Sequence, residues 1–328
     1  MAGMSAVKLD LIQGSPEWLA ARSDGIGSSD LPVIVGESPY RSALELWAEK
    51  TGLVPPAEVD PATRKLIDIG KRMEPVLLKL YAEETGRRAR RVPQMLAHPQ
   101  YPWARASLDG EANRRIVEVK WTHARRWSVG EAVPADVLIQ VQWQMFVAGR
   151  DVADVVALVG PELRVVEVAR DEAMIGDLLF FATDFWRHVI ERTRPELDSS
   201  ESTRRTLARI HPASDGTLLP SDPAIDALIS DLRTAKSRAK EQESIADTIE
   251  NALRALIGDA DGIEGPWGRV TWRRNADSLR TNWPAVARAF RELLTDRPSD
   301  ELDAIESIHS ETVPGPRVLR LSSKGITE

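Results

Sequence analysis

Three residues with complementary chemistry lie close together in one short segment, ASLDGEANRRIVEVKW. Asp109 and Glu118 supply carboxylates, and Lys120 supplies an ammonium group. Successive residues of a β-strand point to opposite faces, so Glu118 and Lys120 share one face with Ile116. A turn at residues 112–114 folds the preceding strand back, which lets Asp109 reach the same place. Carboxylates bind hard cations through oxygen, and such a cation with a nearby lysine promotes attack on a phosphodiester.

An ordinary surface ion pair is the alternative explanation for Glu118 and Lys120. Among the lysines of the chain, only Lys120 has a carboxylate two residues before it, so the pattern is not a by-product of charge density. Residues 61–130 hold 15 Lys and Arg against 7 Asp and Glu, although the whole chain has a net charge of −7. A local positive field of this kind suits a polyanionic substrate. The arginines that flank the three residues are Arg87, Arg88, Arg90, Arg91, Arg105, Arg114, Arg115, Arg125 and Arg126.

Composition limits the classes of protein to which the chain can belong. Its 328 residues can hold one large domain or two ordinary ones, and the absence of cysteine excludes disulfides, thiolate zinc sites and cysteine-bound iron–sulfur clusters. The five histidines show no ligand spacing. No apolar run approaches the roughly 18 to 20 residues of a membrane span, and the N-terminus lacks the apolar segment of a signal peptide. We therefore expect a soluble, cytoplasmic protein.

The segment RSDGIGSSDLPVIVG begins at Arg22 and suggests an anion site. Ser28 or Ser29 is expected to cap a short helix, because serine is a favoured N-cap residue. The free N–H groups of that helix, the two hydroxyls and the Arg22 guanidinium would together suit a phosphate. The two glycines of this segment are not a dinucleotide fingerprint, because no strand precedes them and the third glycine is missing.

Apolar periodicity predicts a helix over residues 63–85, followed by strands near 92–98, 103–109 and 115–121. The buried stripe of this helix is expected to consist of Leu66, Ile69, Met73, Leu77 and Leu80. Glu74 lies off the centre of the stripe, where an exposed helix glutamate is the alternative to a functional one.

A second helix is predicted between Pro134 and Gly149, and it places Gln140 and Gln144 one turn apart in an apolar segment. A glutamine in such surroundings needs a partner. A DNA phosphate, a metal-bound water or a backbone group would each satisfy it.

The remaining segments complete an α/β layer that we expect to end near residue 198. A hairpin is predicted over residues 152–169 and a helix over 171–194, and ESTRR with HPASDG is interpreted as a linker. Residues 199–328 are predicted to form a helical appendage. It contains a long helix at about 222–257 with coiled-coil or hairpin spacing, a small β element at about 268–274 and a helix at 283–294. Oligomerisation or substrate guidance would suit this appendage, and simple packing onto the first domain is an equal alternative.

Several short motifs follow one another over roughly residues 12–170, and their order is informative. They are RSDGIGSSD, GESPY, ELWAEKTG, GKRMEPVLLKLYAEETG, ASLDG, IVEVK and IQVQWQMFVAG. Together they resemble the YqaJ-like viral recombinase family, which includes the phage lambda-type exonucleases of the PD-(D/E)xK nuclease superfamily. The resemblance implies a restriction-endonuclease-like α/β core, with a mixed central sheet flanked by helices.

The resemblance also implies roles for individual residues around a divalent metal. Asp109 and Glu118 would be metal ligands together with the carbonyl of Val119, and Lys120 would be the catalytic lysine. Glu74 would support a second or hydrated metal.

Further residues would contact the substrate in the same resemblance. Gln140 would lie near the metal waters or the scissile phosphate. Arg22 and Ser29 would hold the 5′-phosphate of a DNA end, and we add Ser28 and Gln144 as expected DNA contacts. Oxygen ligands favour Mg²⁺ or Mn²⁺ over zinc.

Three functions remain open at this stage. The first is a metal-dependent exonuclease that degrades linear duplex DNA from 5′ to 3′ and leaves single strands for phage-type recombination in a bacterial cell. The second is an endonuclease or nickase that uses the same site. The third is a non-catalytic DNA-binding accessory protein. Double-stranded DNA ends are the expected partner in the first case, together with a single-strand annealing protein, and a homo-oligomer is expected. In the first two cases Lys120→Ala and Glu118→Ala would abolish cleavage and leave DNA binding largely intact.

Overall fold

The computed structural model describes residues 6–11, 14–122, 127, 132–275, 282–293 and 299–309. The chain divides into two compact units, residues 1–213 and 214–328. The elements of the first unit, in chain order, are β1 (Val7–Leu9), α1 (Pro16–Ser23), α2 (Leu31–Ile34), α3 (Ala43–Lys50), α4 (Pro61–Thr85), β2 (Arg90–Ala97), β3 (Arg105–Ala112), β4 (Arg115–Thr122), α5 (Ala135–Ala148), β5 (Val152–Val159), β6 (Glu162–Ala169), α6 (Glu172–Glu191) and α7 (Glu201–Ile210).

The six strands of this unit form one sheet in the order β1-β2-β3-β4-β5-β6. Neighbouring strands are antiparallel except for β4 and β5, which are parallel because the helix α5 makes the crossover between them. Helix α5 packs on one face of the sheet and α4 on the other. The predicted fold class, a mixed sheet flanked by helices, is confirmed.

Helix α4 buries less apolar surface than its sequence predicted. Leu77 is buried against the sheet, as expected, but Leu66 is 56% exposed. The residues that join Leu77 in the core are Leu78 and Tyr81. The expected stripe is therefore correct only in the C-terminal half of the helix, because the sheet supplies a packing surface to that half alone.

A buried polar network ties α4 to the centre of the sheet. The Tyr81 hydroxyl donates to Asp154 on β5 at 2.6 Å, and Arg115 donates to the other oxygen of this carboxylate at 2.8 Å. Burial and the Asp154 carboxylate raise the pKa of Tyr81 above its ordinary value. Asp154 is 1% exposed, so each of these bonds satisfies a charge that water cannot reach.

We expect Tyr81→Phe to lower the free energy of unfolding by about 1–3 kcal/mol, because a buried carboxylate oxygen loses its nearest donor. Chemical denaturation at neutral pH would measure this loss. Tyr101→Phe is the matched control, since the Tyr101 hydroxyl forms no hydrogen bond within the described residues. Equal stability of the two variants would contradict the prediction.

The segment ESTRR forms helix α7, so its interpretation as a linker was wrong. Ser200 caps the helix by accepting a hydrogen bond from the backbone N–H of Thr203 at 3.1 Å. Ser202 on α7 donates to the buried carboxylate of Glu45 on α3 at 2.5 Å and accepts from the N–H of Ser42 at 2.9 Å. These contacts with α3 provide the reason for the helix, which local composition does not reveal. The expected domain boundary at 198/199 lies just before α7.

The second unit contains the predicted long helix. It consists of α8 (Pro223–Ile257), β7 (Gly262–Gly265), β8 (Gly268–Thr271), α9 (Trp283–Leu293) and α10 (Ser299–Ile308). The small β element expected at about 268–274 is present as strand β8, which pairs with β7 in an antiparallel hairpin. Apolar side chains of α8, such as Leu228 and Leu256, are exposed. Throughout the part of the chain that the structure describes, no helix is both long and apolar enough to cross a membrane.

Candidate nuclease site

Strand β4 presents its functional side chains to one face, as the alternating pattern predicted. Glu118 and Lys120 bond to side chains of α5, and Ile116 packs in the core on that side. Val117 and Val119 pack on the opposite face against α4. Because β4 lies between β3 and β5, its backbone is held on both sides, which fixes the direction of each side chain.

Glu118 is the centre of a compact hydrogen-bond network. Its Oε1 accepts from the Nζ of Lys120 at 2.6 Å and from the Nε2 of Gln140 at 2.7 Å. Gln140 in turn accepts from the Lys120 Nζ at 2.9 Å. The Oε2 of Glu118 accepts from the Nε2 of Gln144 at 2.7 Å. Glu118 is 2% exposed, so these four groups form one rigid unit.

Asp109 reaches this unit from the neighbouring strand. Its Oδ2 accepts from the backbone N–H of Val119 at 3.0 Å. The two-residue turn between β3 and β4 makes this approach possible, with Asn113 and Arg114 both in the left-handed region at φ 50° and 64°. Such turns match the twist of a hairpin, and this one pairs Gly110 with Val117.

The ionisable groups of the site are strongly coupled. Burial and the Glu118 carboxylate raise the pKa of Asp109 well above its ordinary value. Burial also raises the pKa of Glu74, in spite of the nearby Arg91. Burial alone would lower the pKa of Lys120, but the carboxylates of Glu118 and Asp109 outweigh it and the pKa is raised. The ammonium form of Lys120 is therefore favoured.

These features suit a hard divalent cation. Asp109, Glu118 and Glu74 repel one another, and a divalent charge would relieve that repulsion. The Oε1 of Gln144 is buried and accepts no hydrogen bond, so it could receive one from a hydrated ion. Within the described residues, no group of three or more His, Cys, Asp or Glu side chains forms a complete ligand set. The two carboxylates would thus need a backbone carbonyl or water to complete the coordination.

A cleft of about 610 Å³ opens beside Asp109. It brings together residues that are far apart in sequence, and the predicted site residues in its lining are Arg22, Ser28, Ser29, Glu74, Asp109 and Gln140. Glu118 and Lys120 contact this lining through Gln140. The predicted phosphate-binding residues Arg22, Ser28 and Ser29 therefore face the same cavity as Asp109 and Glu74, whereas Glu118 lies behind Gln140.

The predicted anion site has a different local structure from the one expected. Arg22 donates to Ser29 Oγ at 3.4 Å and lies 5.0 Å above the Trp18 ring. Neither serine caps α2, however, because the N-cap position belongs to Asp30. The Asp30 carboxylate instead accepts from the backbone N–H of Gly27 at 3.0 Å and pairs with Lys50 at 2.9 Å. Ser28 and Ser29 instead line the cleft.

Gln144 does not take the position that a DNA contact requires, which corrects that expectation. Its side chain is 0% exposed and bridges Glu118 and the Ser107 carbonyl. Its role in this structure is to position the Glu118 carboxylate. An apolar helix face predicts burial of a glutamine but not its partner.

We expect Gln144→Leu to lower the cleavage rate and the affinity for Mn²⁺ by about 10–100-fold, because Glu118 loses one of its anchors. Gln142→Leu is the matched control, since Gln142 is equally buried on α5 but bonds the Ala169 carbonyl and the Asp171 N–H. Nuclease assays and calorimetric titration with Mn²⁺ would measure both quantities. Identical losses in the two variants would show that Gln144 acts only through stability.

Two further residues of β3 face the cleft and were not identified as site residues. Arg105 and Ser107 precede Asp109 at intervals of two, so strand alternation alone could have placed them beside it. The Nε and Nη1 atoms of Arg105 are buried and have no hydrogen-bond partner. The guanidinium packs over Gly25, where an added Cβ would lie 2.8 Å from the Arg105 Cδ.

Part of the predicted basic field lies outside the described residues, namely Arg125 and Arg126. Two other flanking arginines belong to the structural network around Asp154, because Arg87 and Arg115 both pair with that carboxylate. Of the remaining flanking arginines, Arg91 and Arg105 line the cleft, and Arg88, Arg90 and Arg114 line a separate depression.

Comparisons with known proteins agree with the motifs. Residues 17–151 match the YqaJ-like viral recombinase domain. The chain is 29% identical to the uncharacterized protein YqaJ of Bacillus subtilis over 294 residues, which cover 82% of this chain and 88% of that protein.

Two solved exonuclease structures are similar to part of the chain. An alkaline exonuclease from Laribacter hongkongensis is 22% identical, with 60% of this chain and 100% of that chain covered at a TM-score of 0.46. A phage-related exonuclease from Haemophilus somnus is 14% identical, with 51% and 96% covered at a TM-score of 0.38. The domain match over residues 17–151 and the B. subtilis relative together confirm the predicted resemblance to the YqaJ-like viral recombinase family.

Proposed function

We propose that the protein is a metal-dependent DNA exonuclease that hydrolyses phosphodiesters of linear duplex DNA from 5′ to 3′ and so produces single strands for phage-type recombination. One observation carries the proposal. A bonded unit of Glu118, Lys120 and Gln140, with Asp109 beside it, adjoins a cleft that also holds Arg22 and Ser29. The site thus combines carboxylates for a cation with cationic and hydroxyl groups for phosphates.

Asp109, Glu118 and the carbonyl of Val119 are the proposed metal ligands, and Glu74 is proposed to support a hydrated second ion. A bound Mg²⁺ or Mn²⁺ would lower the pKa of water and neutralise charge on the phosphate. Although burial lowers the pKa of Lys120, the carboxylates of Glu118 and Asp109 raise it above its ordinary value, and the ammonium form would stabilise developing negative charge. Gln140 holds Lys120 and Glu118 at the cleft.

Arg22, Ser28 and Ser29 are proposed to bind the terminal 5′-phosphate. Arg22 has one ring below it and one hydroxyl beside it, so its guanidinium is held in the cleft at little entropic cost. A phosphate there would receive charge-assisted hydrogen bonds from Arg22 and neutral ones from the serines. This arrangement would make the enzyme prefer phosphorylated ends.

One assay tests the proposal against its alternatives. Wild-type protein with Mg²⁺ is incubated with linear 5′-phosphorylated duplex, linear 5′-hydroxyl duplex and closed circular duplex. We expect rapid loss of the first, slower loss of the second and no cleavage of the third. Cleavage of the circle would establish an endonuclease or nickase. Binding of all three without cleavage would establish a non-catalytic DNA-binding protein. The proposed annealing partner and homo-oligomer need separate tests.

A further inference from the structure

A series of depressions continues from the cleft across strand β2. A small depression of about 30 Å³ shares Glu74, Arg91 and Asp109 with the cleft. It leads through Arg91 and Val92 into a depression of about 450 Å³. The depressions are connected through shared lining residues, while Arg22, Ser28 and Ser29 lie outside the connecting depression.

The series ends at the turn between β3 and β4. A depression of about 600 Å³ there shares Arg90, Glu111 and Arg150 with the preceding one. Arg88, Asn113 and Arg114 complete its lining. Together the lining residues form a continuous path that starts at the predicted metal ligand Asp109.

This path is strongly basic, and we call it the basic track. It is defined by five arginines, Arg88, Arg90, Arg91, Arg114 and Arg150. Three carboxylates oppose them in the lining of the same depressions, namely Glu74, Asp109 and Glu111. The track therefore has an excess of positive charge even after its internal ion pairs are counted.

Ion pairs within the protein neutralise some arginines of the track but not those at its far end. Arg90 and Arg150 both pair with Glu111, and Arg91 pairs with Glu74 at 3.4 Å. Arg88 and Arg114 are exposed and form no hydrogen bond or ion pair within the described part of the chain. Two cations on one depression, without a protein partner, are available to an anionic ligand.

The hairpin places Arg114 at its tip. Arg114 has a φ of 64°, and the two-residue turn between β3 and β4 requires this left-handed conformation. The exposed Arg114 side chain is therefore presented at the end of the basic track, in the same depression as Arg88.

We propose that the basic track binds the sugar–phosphate backbone of the DNA strand on the 3′ side of the scissile phosphate. Asp109 and Arg114 are five residues apart, or at most about 17 Å along extended strands. Phosphates of one duplex strand advance about 3.4 Å each along the axis, so the track accommodates about five of them. A terminal phosphate at Arg22 and Ser29 would then leave the rest of the strand directed along the track.

This inference rests on the proposed nuclease function, so its test uses two substrates and a binding measurement. The test variant is Arg88→Gln with Arg114→Asn, since asparagine tolerates the left-handed conformation. Arg194→Gln with Arg204→Gln is the control, because it removes the same charge at exposed positions that line none of these depressions. The substrates are a duplex of about 40 base pairs, which spans the track, and a p-nitrophenyl ester of thymidine monophosphate, which does not.

We expect the test variant to lose about tenfold in kcat/KM on the duplex and nothing on the small ester, because only the duplex carries downstream phosphates. The slope of log affinity against log salt, measured by anisotropy with labelled duplex and no divalent cation, should decrease by about 1.5. The control variant should match the wild type throughout. An equal loss of kcat/KM on the duplex and on the small ester would show that the substitutions act at the reacting centre, and it would overturn the proposal.

Failure of the track and failure of the nuclease function give different results. If wild-type protein cleaves the duplex and the test variant equals it in rate and salt slope, the track proposal is wrong. If wild-type protein cleaves neither substrate, the nuclease function is wrong. In that case a reduced salt slope in the test variant would still support contact between the basic track and the DNA backbone. An unchanged slope would contradict that contact.

Discussion

Lys120→Ala is expected to lower the rate of DNA cleavage by about a thousandfold and to leave DNA affinity nearly unchanged. The ammonium group is held by Glu118 and Gln140 beside the cleft, and its raised pKa keeps it charged. Its removal would withdraw a preorganised positive charge from the transition state, whereas ground-state binding depends on the arginines around the cleft. Single-turnover cleavage of a 5′-phosphorylated duplex and anisotropy without divalent cation would measure the two quantities.

The control for this variant is Lys79→Ala, which removes an exposed lysine on α4 that pairs only loosely with Glu83 at 3.8 Å. It should cleave at the wild-type rate. A thermal unfolding curve would check that Lys120→Ala remains folded. Cleavage by Lys120→Ala within a few-fold of wild type would remove Lys120 from the mechanism and, with it, the proposed transition-state charge stabilisation.

Asp109→Asn is expected to abolish Mn²⁺ binding and yet to raise the melting temperature of the metal-free protein at neutral pH. The pKa of Asp109 is raised in the folded state by burial and by Glu118, so its ionisation costs stability. Below the ordinary pKa of aspartate the group is protonated in both states and the cost is absent. The cost grows as pH rises through that value and is complete above the raised pKa.

The same shift predicts that Mn²⁺ affinity increases with pH, because the cation must displace a proton from Asp109. Thermal unfolding with a chelator should be measured from about pH 4 to 8. The melting temperature of Asp109→Asn should exceed that of the wild type by an amount that increases with pH. Asp177→Asn, which removes an exposed carboxylate on α6 outside the site, is the control for the loss of one negative charge. Equal pH dependence of wild type and Asp109→Asn would contradict the raised pKa.

The local sequence determined the parts of this protein that depend on strand and helix periodicity. Alternation along β4 placed Glu118 and Lys120 on one face, and the apolar helix between Pro134 and Gly149 was found with its ends correct. Such patterns succeed because burial on one face of a regular element imposes a fixed repeat on the chain. The order of the motifs also indicated the resemblance that the domain match over residues 17–151 confirms.

Only the tertiary structure decided what each side chain meets. Gln144 and Gln140 have equivalent sequence settings, but one is buried behind Glu118 and the other lines the cleft. Asp30, not Ser28 or Ser29, occupies the N-cap position of α2, and its carboxylate binds the Gly27 N–H and Lys50 instead of capping the helix. Helix α7 owes its place to buried bonds with α3, more than 150 residues earlier in the chain. Periodicity specifies a face, whereas partners across the fold depend on long-range packing that a local pattern does not contain.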